Sequence, residues 1–255
     1  MGALEVYRYE RKFVIPEPTA LAVRRFVASY LVLDEHMAGE GPDGYRVCSL
    51  YLDTPDLALY RRTTEGIKNR YKLRIRFYDD ARESPAFLEI KKRTTETIHK
   101  LRAVVPKPAA ERLLRGGEIM TADLLSNGVT SWRALSEFCE CRERLRAEGV
   151  AFVDYRREAY VSGSAEACRV VFDRHIVGHP YYSGCGLSLP EQAAPVAMNG
   201  VVLELKYNGR APRWMHDLVS SFNLQRRSFP KYVYCVDALK INPVIAGTLA
   251  RSVRR

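Results

Sequence analysis

Between Tyr71 and Phe77 the chain reads Tyr-Lys-Leu-Arg-Ile-Arg-Phe, with ring or aliphatic residue and cation in strict turn. Successive side chains of a strand point to opposite faces. Lys72, Arg74 and Arg76 therefore share one face, and Tyr71, Leu73, Ile75 and Phe77 share the other. The pattern recurs along the chain. Arg8, Glu10 and Lys12 fall on one face of 7–13, and Glu89, Lys91 and Arg93 on one face of 87–93. Lys100 and Arg102 come next, then Arg157 in 155–161, Arg169 and Asp173 in 168–173, and Glu204 and Lys206 in 201–207. An antiparallel sheet with one wet face explains any single strand. It explains less well why so many wet faces carry arginine and lysine, because like charges directly opposite across a ladder repel. Something negative between those faces removes the conflict.

The apolar faces need partners, and helical spacing supplies them. Helices are expected over 17–33, 108–115, 132–148 and 212–222, with Pro16-Glu17-Pro18-Thr19 opening the first and Gly116-Gly117 stopping the second. The Gly-, Pro- and Ser-containing stretch 178–200 reads as a long loop. If the helices cover the apolar faces, closing the sheet turns the charged faces inward and removes exposed edges. A charged interior then needs a ligand or water to satisfy it. No repeat or linker divides the chain. One domain over 1–255 is expected, its core about 6–240 and its end, 241–255, a solvated tail carrying Arg251, Arg254 and Arg255.

Net charge narrows the partner. The chain of 255 residues carries a formal +10, so a polyanion is expected: nucleic acid, an anionic membrane surface or phosphates. Nucleic acid is disfavoured because the cations alternate with core-type residues rather than with exposed rings for stacking. No run of about 18 apolar residues occurs, and the start lacks a secretory pattern, so a cytoplasmic location is expected. Six scattered cysteines read as reduced thiols. His175 and His179 have Gly178 between them and Pro180 after, which argues against a helix presenting both to zinc.

The ordered motifs Tyr9-Glu10-Arg11-Lys12-Phe13, Ser49-Leu50-Tyr51-Leu52-Asp53-Thr54 with Leu59-Tyr60, and Lys72-Leu73-Arg74-Ile75-Arg76 carry a resemblance. So do Phe87-Leu88-Glu89-Ile90-Lys91, Tyr155-Arg156-Arg157-Glu158-Ala159-Tyr160, Val202-Leu203-Glu204-Leu205-Lys206 and Phe229-Pro230-Lys231-Tyr232. From about Val6 to Leu239 the chain resembles the triphosphate tunnel metalloenzymes, and within them the vacuolar transporter chaperone (VTC) domain, the polyphosphate polymerase branch. The hydrolase and cyclase branch usually opens with Glu-x-Glu-x-Lys. Here Arg8 stands at the first acidic position, which tilts the resemblance toward the VTC type and puts Glu10 in doubt as a metal ligand, since it can pair with Arg8 or Lys12 instead.

The resemblance implies an α+β fold: a closed antiparallel eight-stranded β-barrel with helices packed outside. It implies that Arg74, Arg76, Lys91 and Arg157 clamp phosphate, with Lys12 and Lys231 completing the catalytic set. Arg8, Lys72, Lys100, Arg169 and Lys206 would line the rest of the tunnel as substrate-binding cations. Arginine suits such work because its rigid fork binds two oxygens at once. Glu204 would hold Mn²⁺ or Mg²⁺, with Glu10 and Glu89 as further candidates. The implied activity is transfer of the γ-phosphate of ATP to a growing inorganic polyphosphate chain. A metal-dependent tri- or polyphosphate hydrolase and a non-catalytic polyphosphate-binding module stand as alternatives, and coupling to transport would need a membrane partner. Tyr51, Tyr60 and Phe13 read as outer packing, and Asp53, at a strand end turning into a loop, reads as structural.

Overall fold

The computed structural model describes residues 8–94, 97–126, 128–163 and 168–242, together with the backbone but not the side chains of Arg8, Thr97 and Ile98. The tail with Arg251, Arg254 and Arg255 lies outside the described residues, and so does the side chain of Arg8.

Eight strands form one antiparallel path. They are β1 (Arg8–Ile15), β3 (Tyr45–Asp53), β4 (Arg70–Phe77), β5 (Pro85–Thr94), β6 (Thr97–Pro106), β7 (Glu148–Val161), β8 (Cys168–Pro180) and β10 (Val201–Asn208). The short β2 (Val32–Leu33) and β9 (Ala194–Pro195) pair with β7 and β8. The order along the path is β1-β10-β8-β7-β3-β4-β5-β6.

All eight strands contribute to one central cavity, so the path is strongly curved. It is not a closed barrel. β1 and β6 end the path, and among the described residues no ladder joins them. Two other contacts span or cover this seam. The Lys91 ammonium of β5 reaches the Glu10 carboxylate of β1 at 2.8 Å. The stretch before Lys231 lies along the outer edge of β1, with a bridge between Phe13 and Arg226 and a hydrogen bond donated by the Arg227 amide to the Lys12 carbonyl, 2.9 Å.

The apolar strand faces point outward and are covered by helices. Leu50, Leu73, Ile75, Leu88 and Ile90 pack under α3 (Lys107–Leu114) and α4 (Val129–Leu145), whose Leu113, Leu135 and Phe138 meet them. Phe13, Val170, Phe172 and Leu203 pack under α1 (Glu17–Val27) and α5 (Arg213–Ser221). α6 (Lys231–Ala238) departs from the expectation that the helices pack outside. Its Tyr232, Cys235 and Val236 pack with Tyr51, Val153, Tyr155, Val171 and Val202, which share strand faces with the cavity-lining Arg157, Arg169 and Glu204, so this helix lies on the inward face of the sheet. α6 comes so close to β8 that a Cβ at Gly178 would lie 2.9 Å from that of Cys235. Four helices, α1, α3, α5 and α6, start directly after an extended proline: Pro16, Pro106, Pro212 and Pro230. Proline has no N–H to lose at a helix start, and its fixed φ suits the first turn.

Three expected boundaries move. The first helix ends at Val27 rather than at 33, and Val32–Leu33 pairs as a strand instead. The third runs Val129–Leu145, closed by Arg146 in the left-handed region at φ 50°, and Glu148 already belongs to β7. The loop expected over 178–200 is shortened at one end, because β8 continues to Pro180, and crossed by β9. Two helices, α2 (Ala58–Thr64) and α6, lie outside the set that helical spacing predicts.

Candidate functional site

The cavity has a volume of about 1100 Å³, and sixteen of the residues lining it are arginine or lysine against two glutamates. Lys72, Arg74 and Arg76 of β4 face it together, and so do Lys12 of β1, Lys91 of β5, Lys100 of β6, Arg157 of β7, Arg169 of β8, Lys206 of β10 and Lys231 of α6. Glu204 and Glu10 line it as well. Glu89 stands behind the lining, 1% exposed.

The strand register stacks the charges in rows. Lys72 lies directly opposite Lys91, and Lys91 directly opposite Lys100, so three lysines cross β4, β5 and β6 side by side. The next row is Arg74, Glu89 and Arg102, and at the other side of the lysines Arg70 faces Arg93. The middle row is balanced: Glu89 accepts from Arg74 Nε and Arg102 Nε at 2.7 and 2.8 Å and pairs with Lys100 at 2.6 Å. The lysine row holds no carboxylate of its own. Lys72 pays for this: burial, then Lys91 and Lys12, push its pKa down to about 7.

A second knot surrounds Glu204. Its carboxylate meets the ammoniums of Lys12, Lys206 (2.7 Å) and Lys231 (3.1 Å), with Arg157 at 3.9 Å. Burial would raise its pKa, but Lys12, Lys206 and Lys231 outweigh that and hold Glu204 well below the usual carboxylate range. Lys12 also pairs with Glu10 at 2.7 Å, and Glu10 is held low in the same way against its burial. Arg157 makes a two-pronged bond to Asp173, Nε to Oδ1 at 2.7 Å and Nη2 to Oδ2 at 2.9 Å, and Lys231 joins Asp173 at 2.7 Å. Asp173 therefore orients Arg157 and Lys231, both of which line the cavity. Burial brings Lys206 down to about 7 despite Glu204.

Two carboxylates, Glu10 and Glu204, thus converge on one ammonium, that of Lys12. Among the described residues no group of three or more His, Cys, Asp or Glu side chains is placed to hold a metal. The Lys12 ammonium fills the position between the two carboxylates, so a divalent ion held by Glu10 and Glu204 would have to displace it. An ion of the magnesium type takes one or two protein carboxylates and completes its shell with phosphate oxygens and water. Glu89 does not join them, being committed to Arg74, Lys100 and Arg102.

Tyrosines complete the wall. The inward face of β3 carries Tyr45, Val47, Ser49 and Tyr51, so the strand shows no cation there and its charge pattern is silent. Tyr51 departs from the outer packing expected of it: it lines the cavity, accepts a hydrogen bond from Arg74 Nη1 at 3.0 Å and stacks on Tyr232 at 4.8 Å. Tyr155 lies under the cations of Arg157 and Lys231, 5.2 and 5.0 Å from its ring centre. Phe13 is buried under the helices, and Tyr60 donates outside the cavity to Asp237 at 2.6 Å. Asp53 is structural. Its carboxylate accepts from the amides of Thr54, Leu59 and Tyr60 and from the Tyr232 hydroxyl at 2.7–2.9 Å, which ties β3 to α2 and α6. Period-two alternation also misses Arg226 and Arg227, because they sit in a segment without regular structure.

A model of the VTC domain family matches residues 7–240 of the chain. Among solved structures, that of the PH1819 protein from Pyrococcus horikoshii OT3 is similar at 12% identity and a TM-score of 0.43, covering 89% of this chain and 98% of that one. The Mediator head module of Schizosaccharomyces pombe is similar at 12% identity and a TM-score of 0.38, covering 85% and 90%. No curated protein matches the chain.

Proposed function

Because this chain belongs to the VTC domain family, matched from residue 7 to 240, we propose that it is an ATP-dependent polyphosphate polymerase working inside the cationic cavity. The family is associated with polyphosphate metabolism. The observation that carries the reading is the row Lys72, Lys91, Lys100, three lysines set directly opposite one another across a ladder, where burial and like neighbours disfavour the charged form of Lys72 and Lys100. Such a row is disfavoured in an empty protein and favoured beside a linear polyanion.

Phosphoryl transfer asks little covalent work of a protein; it asks for position and for neutralisation of the charge on the moving group. Arg74, Arg76, Lys91 and Arg157 hold the phosphates of ATP, with Lys12 and Lys231 on the oxygens nearest Glu204. Arg157 is aimed by Asp173 and Arg74 by Glu89, so the clamps are oriented before substrate arrives. Lys72, Lys100 and Lys206 extend the cationic track for the polymer, while Arg169, beside Tyr45, and Arg8, at the start of β1, are further substrate-binding candidates. A divalent ion, Mn²⁺ or Mg²⁺, held by Glu204 and Glu10, would neutralise further phosphate charge. The terminal oxygen of the polyphosphate attacks the γ-phosphorus, the bond to the β-phosphate oxygen breaks, and ADP leaves. No protein nucleophile takes part. Among the described residues no helix is long and apolar enough to cross a membrane; in this reading the domain works in the cytoplasm, and any coupling to transport comes from a membrane partner.

The test is incubation of purified protein with ATP and Mn²⁺, resolving ADP, free phosphate and long-chain polyphosphate. ADP with polymer, lost in Glu204→Gln, is expected. Free phosphate without polymer would assign a hydrolase, in which water is the attacking oxygen. Tight binding of polyphosphate without consumption of ATP would assign a binding module.

A further inference from the structure

The two ends of the cavity differ in chemistry. Given that the cavity is the phosphate site proposed above, on which this inference rests, the difference bears on how a nucleotide would lie in it.

Arg76 is not the last inward residue of its strand face. Two positions on, the same face reaches Tyr78, just past the end of β4, and Tyr78 lines the cavity. Around it stand two more rings that line the cavity at the same end, His36 and Tyr45. His36 lies 6.4 Å from Tyr78 with ring planes 26° apart, and Tyr45 lies 6.1 Å from Tyr78. The group is anchored from behind. Asp34 accepts from the His36 amide at 2.9 Å and pairs with Arg169, which in turn donates to the Tyr45 hydroxyl at 3.1 Å. Tyr45 is buried, but Tyr78 is only half-buried and His36 is exposed, so ring surface remains open where the cavity meets solvent.

At the opposite end, where β4 begins and β5 finishes, the lining is arginine. Arg70 faces Arg93 across the ladder, and Arg226 and Arg227 stand exposed nearby along the outer half of β1. Phe229, the ring lining that side, is buried and stacked on Tyr234 at 4.3 Å.

We propose that His36, Tyr45 and Tyr78 form a docking site for the base of a nucleoside triphosphate, which fixes the nucleotide's direction in the cavity: base at the ring end, γ-phosphate toward the lysine row, and polymer toward the arginine end. Two residues of strand place Tyr78 about 7 Å beyond Arg76, which leaves room for the ribose between the phosphate clamp and the base. The site recognises a π-face, and stacking is tolerant of base identity because every base has one. ATP and GTP are therefore expected to bind with similar affinity.

Titration calorimetry with ATP and with inorganic tripolyphosphate, on wild type, Tyr78→Ala and Tyr78→Phe, tests this. Stacking on an aromatic contributes about 1–3 kcal/mol per base, so Tyr78→Ala is expected to weaken ATP by at least about fivefold while leaving tripolyphosphate unchanged. Tyr78→Phe keeps the ring and is expected to retain wild-type ATP affinity, which separates stacking from a folding defect. If Tyr78→Ala weakens both ligands alike, or neither, the base site is refuted and the phosphate site stands. If wild type binds neither ligand, the phosphate reading fails, and the base site with it.

Discussion

Replacing Glu89 with glutamine tests whether the cavity is a charged interior waiting for an anion. Glu89 is 1% exposed and is the partner of Arg74, Arg102 and Lys100. Breaking a buried ion pair by removing one member costs about 3–5 kcal/mol, because the other charge is left without compensation. Two features bring the figure down here. Arg102 and Lys100 are more than a third exposed at the side chain, so water screens part of their repulsion, and glutamine keeps an oxygen that still accepts. A loss of about 2–3 kcal/mol in unfolding free energy is expected, read from urea denaturation at neutral pH and low salt. The same substitution releases Arg74, Arg102 and Lys100 from their shared carboxylate, leaving the two guanidiniums free to meet phosphate. If tripolyphosphate then binds tenfold more tightly, ligand-linked stabilisation rises by about 1.4 kcal/mol at saturation, and roughly half to two-thirds of the deficit disappears when ligand is added. Acid gives an independent check. The folded-state pKa of Glu89 lies well below the ordinary value, so its stabilisation is complete above about pH 4.3 and is lost as pH falls through the lower folded-state pKa. The gap between wild type and Glu89→Gln therefore closes in acid. A deficit that is the same with and without tripolyphosphate would refute the reasoning.

The same contacts set three more expectations. Arg74→Ala removes a cation that reaches both Glu89 and Tyr51; turnover of ATP is expected to fall by at least about a hundredfold, by the scale of one lost transition-state donor, with the circular dichroism spectrum retained. Asp53→Ala strands three amides and the Tyr232 hydroxyl, and at about 1–3 kcal/mol for each buried group left unsatisfied the thermal midpoint should collapse; a variant that melts like wild type would show that water takes over these donors. Lys72 and Lys206 titrate near 7 in the free protein, and a bound polyanion raises both values. Binding above pH 7 therefore takes up protons, and polyphosphate affinity falls as pH rises from 7 to 9. Calorimetry in two buffers of different ionisation enthalpy reads the uptake directly, and identical heats in both would rule it out.

The inward cations are legible in the sequence because period two is a property of the strand itself: once Leu73 and Ile75 are placed in the core, Arg74 and Arg76 have only the other face. β3 is legible only through its motif, since Tyr45, Val47, Ser49 and Tyr51 inward bring no cation to the cavity, and outward only Arg46, paired with Asp154, precedes the apolar Cys48, Leu50 and Leu52. α2 escapes because its start is marked by no residue with a capping side chain. Leu57 precedes it at a left-handed φ of 57°, and the capping oxygens come from further back, Thr54 taking the Ala58 amide and Asp53 those of Leu59 and Tyr60. α6 escapes because Tyr-Val-Tyr-Cys-Val favours strand, while the Pro230 start and packing on β7 and β8 decide for helix. The site's carboxylates are harder. Alternation puts Glu89 and Glu204 on the inward face but does not reveal that one serves three cations and the other four. Closure fails for a different reason: alternation states which way side chains point, and nothing in it requires the first and last strands to exchange hydrogen bonds.

An open seam changes the mechanics of the molecule. In a closed barrel, strand number and stagger set the diameter. Here the end strands β1 and β6 share no ladder among the described residues, and the Lys91–Glu10 pair ties β1 across β6 to β5. The girth of the bore is then set partly by an electrostatic clasp whose lysine also belongs to the row that would grip phosphate. In the proposed reading, a polyanion that competes for Lys91 would loosen the clasp as it enters, coupling the loading of the channel to its circumference.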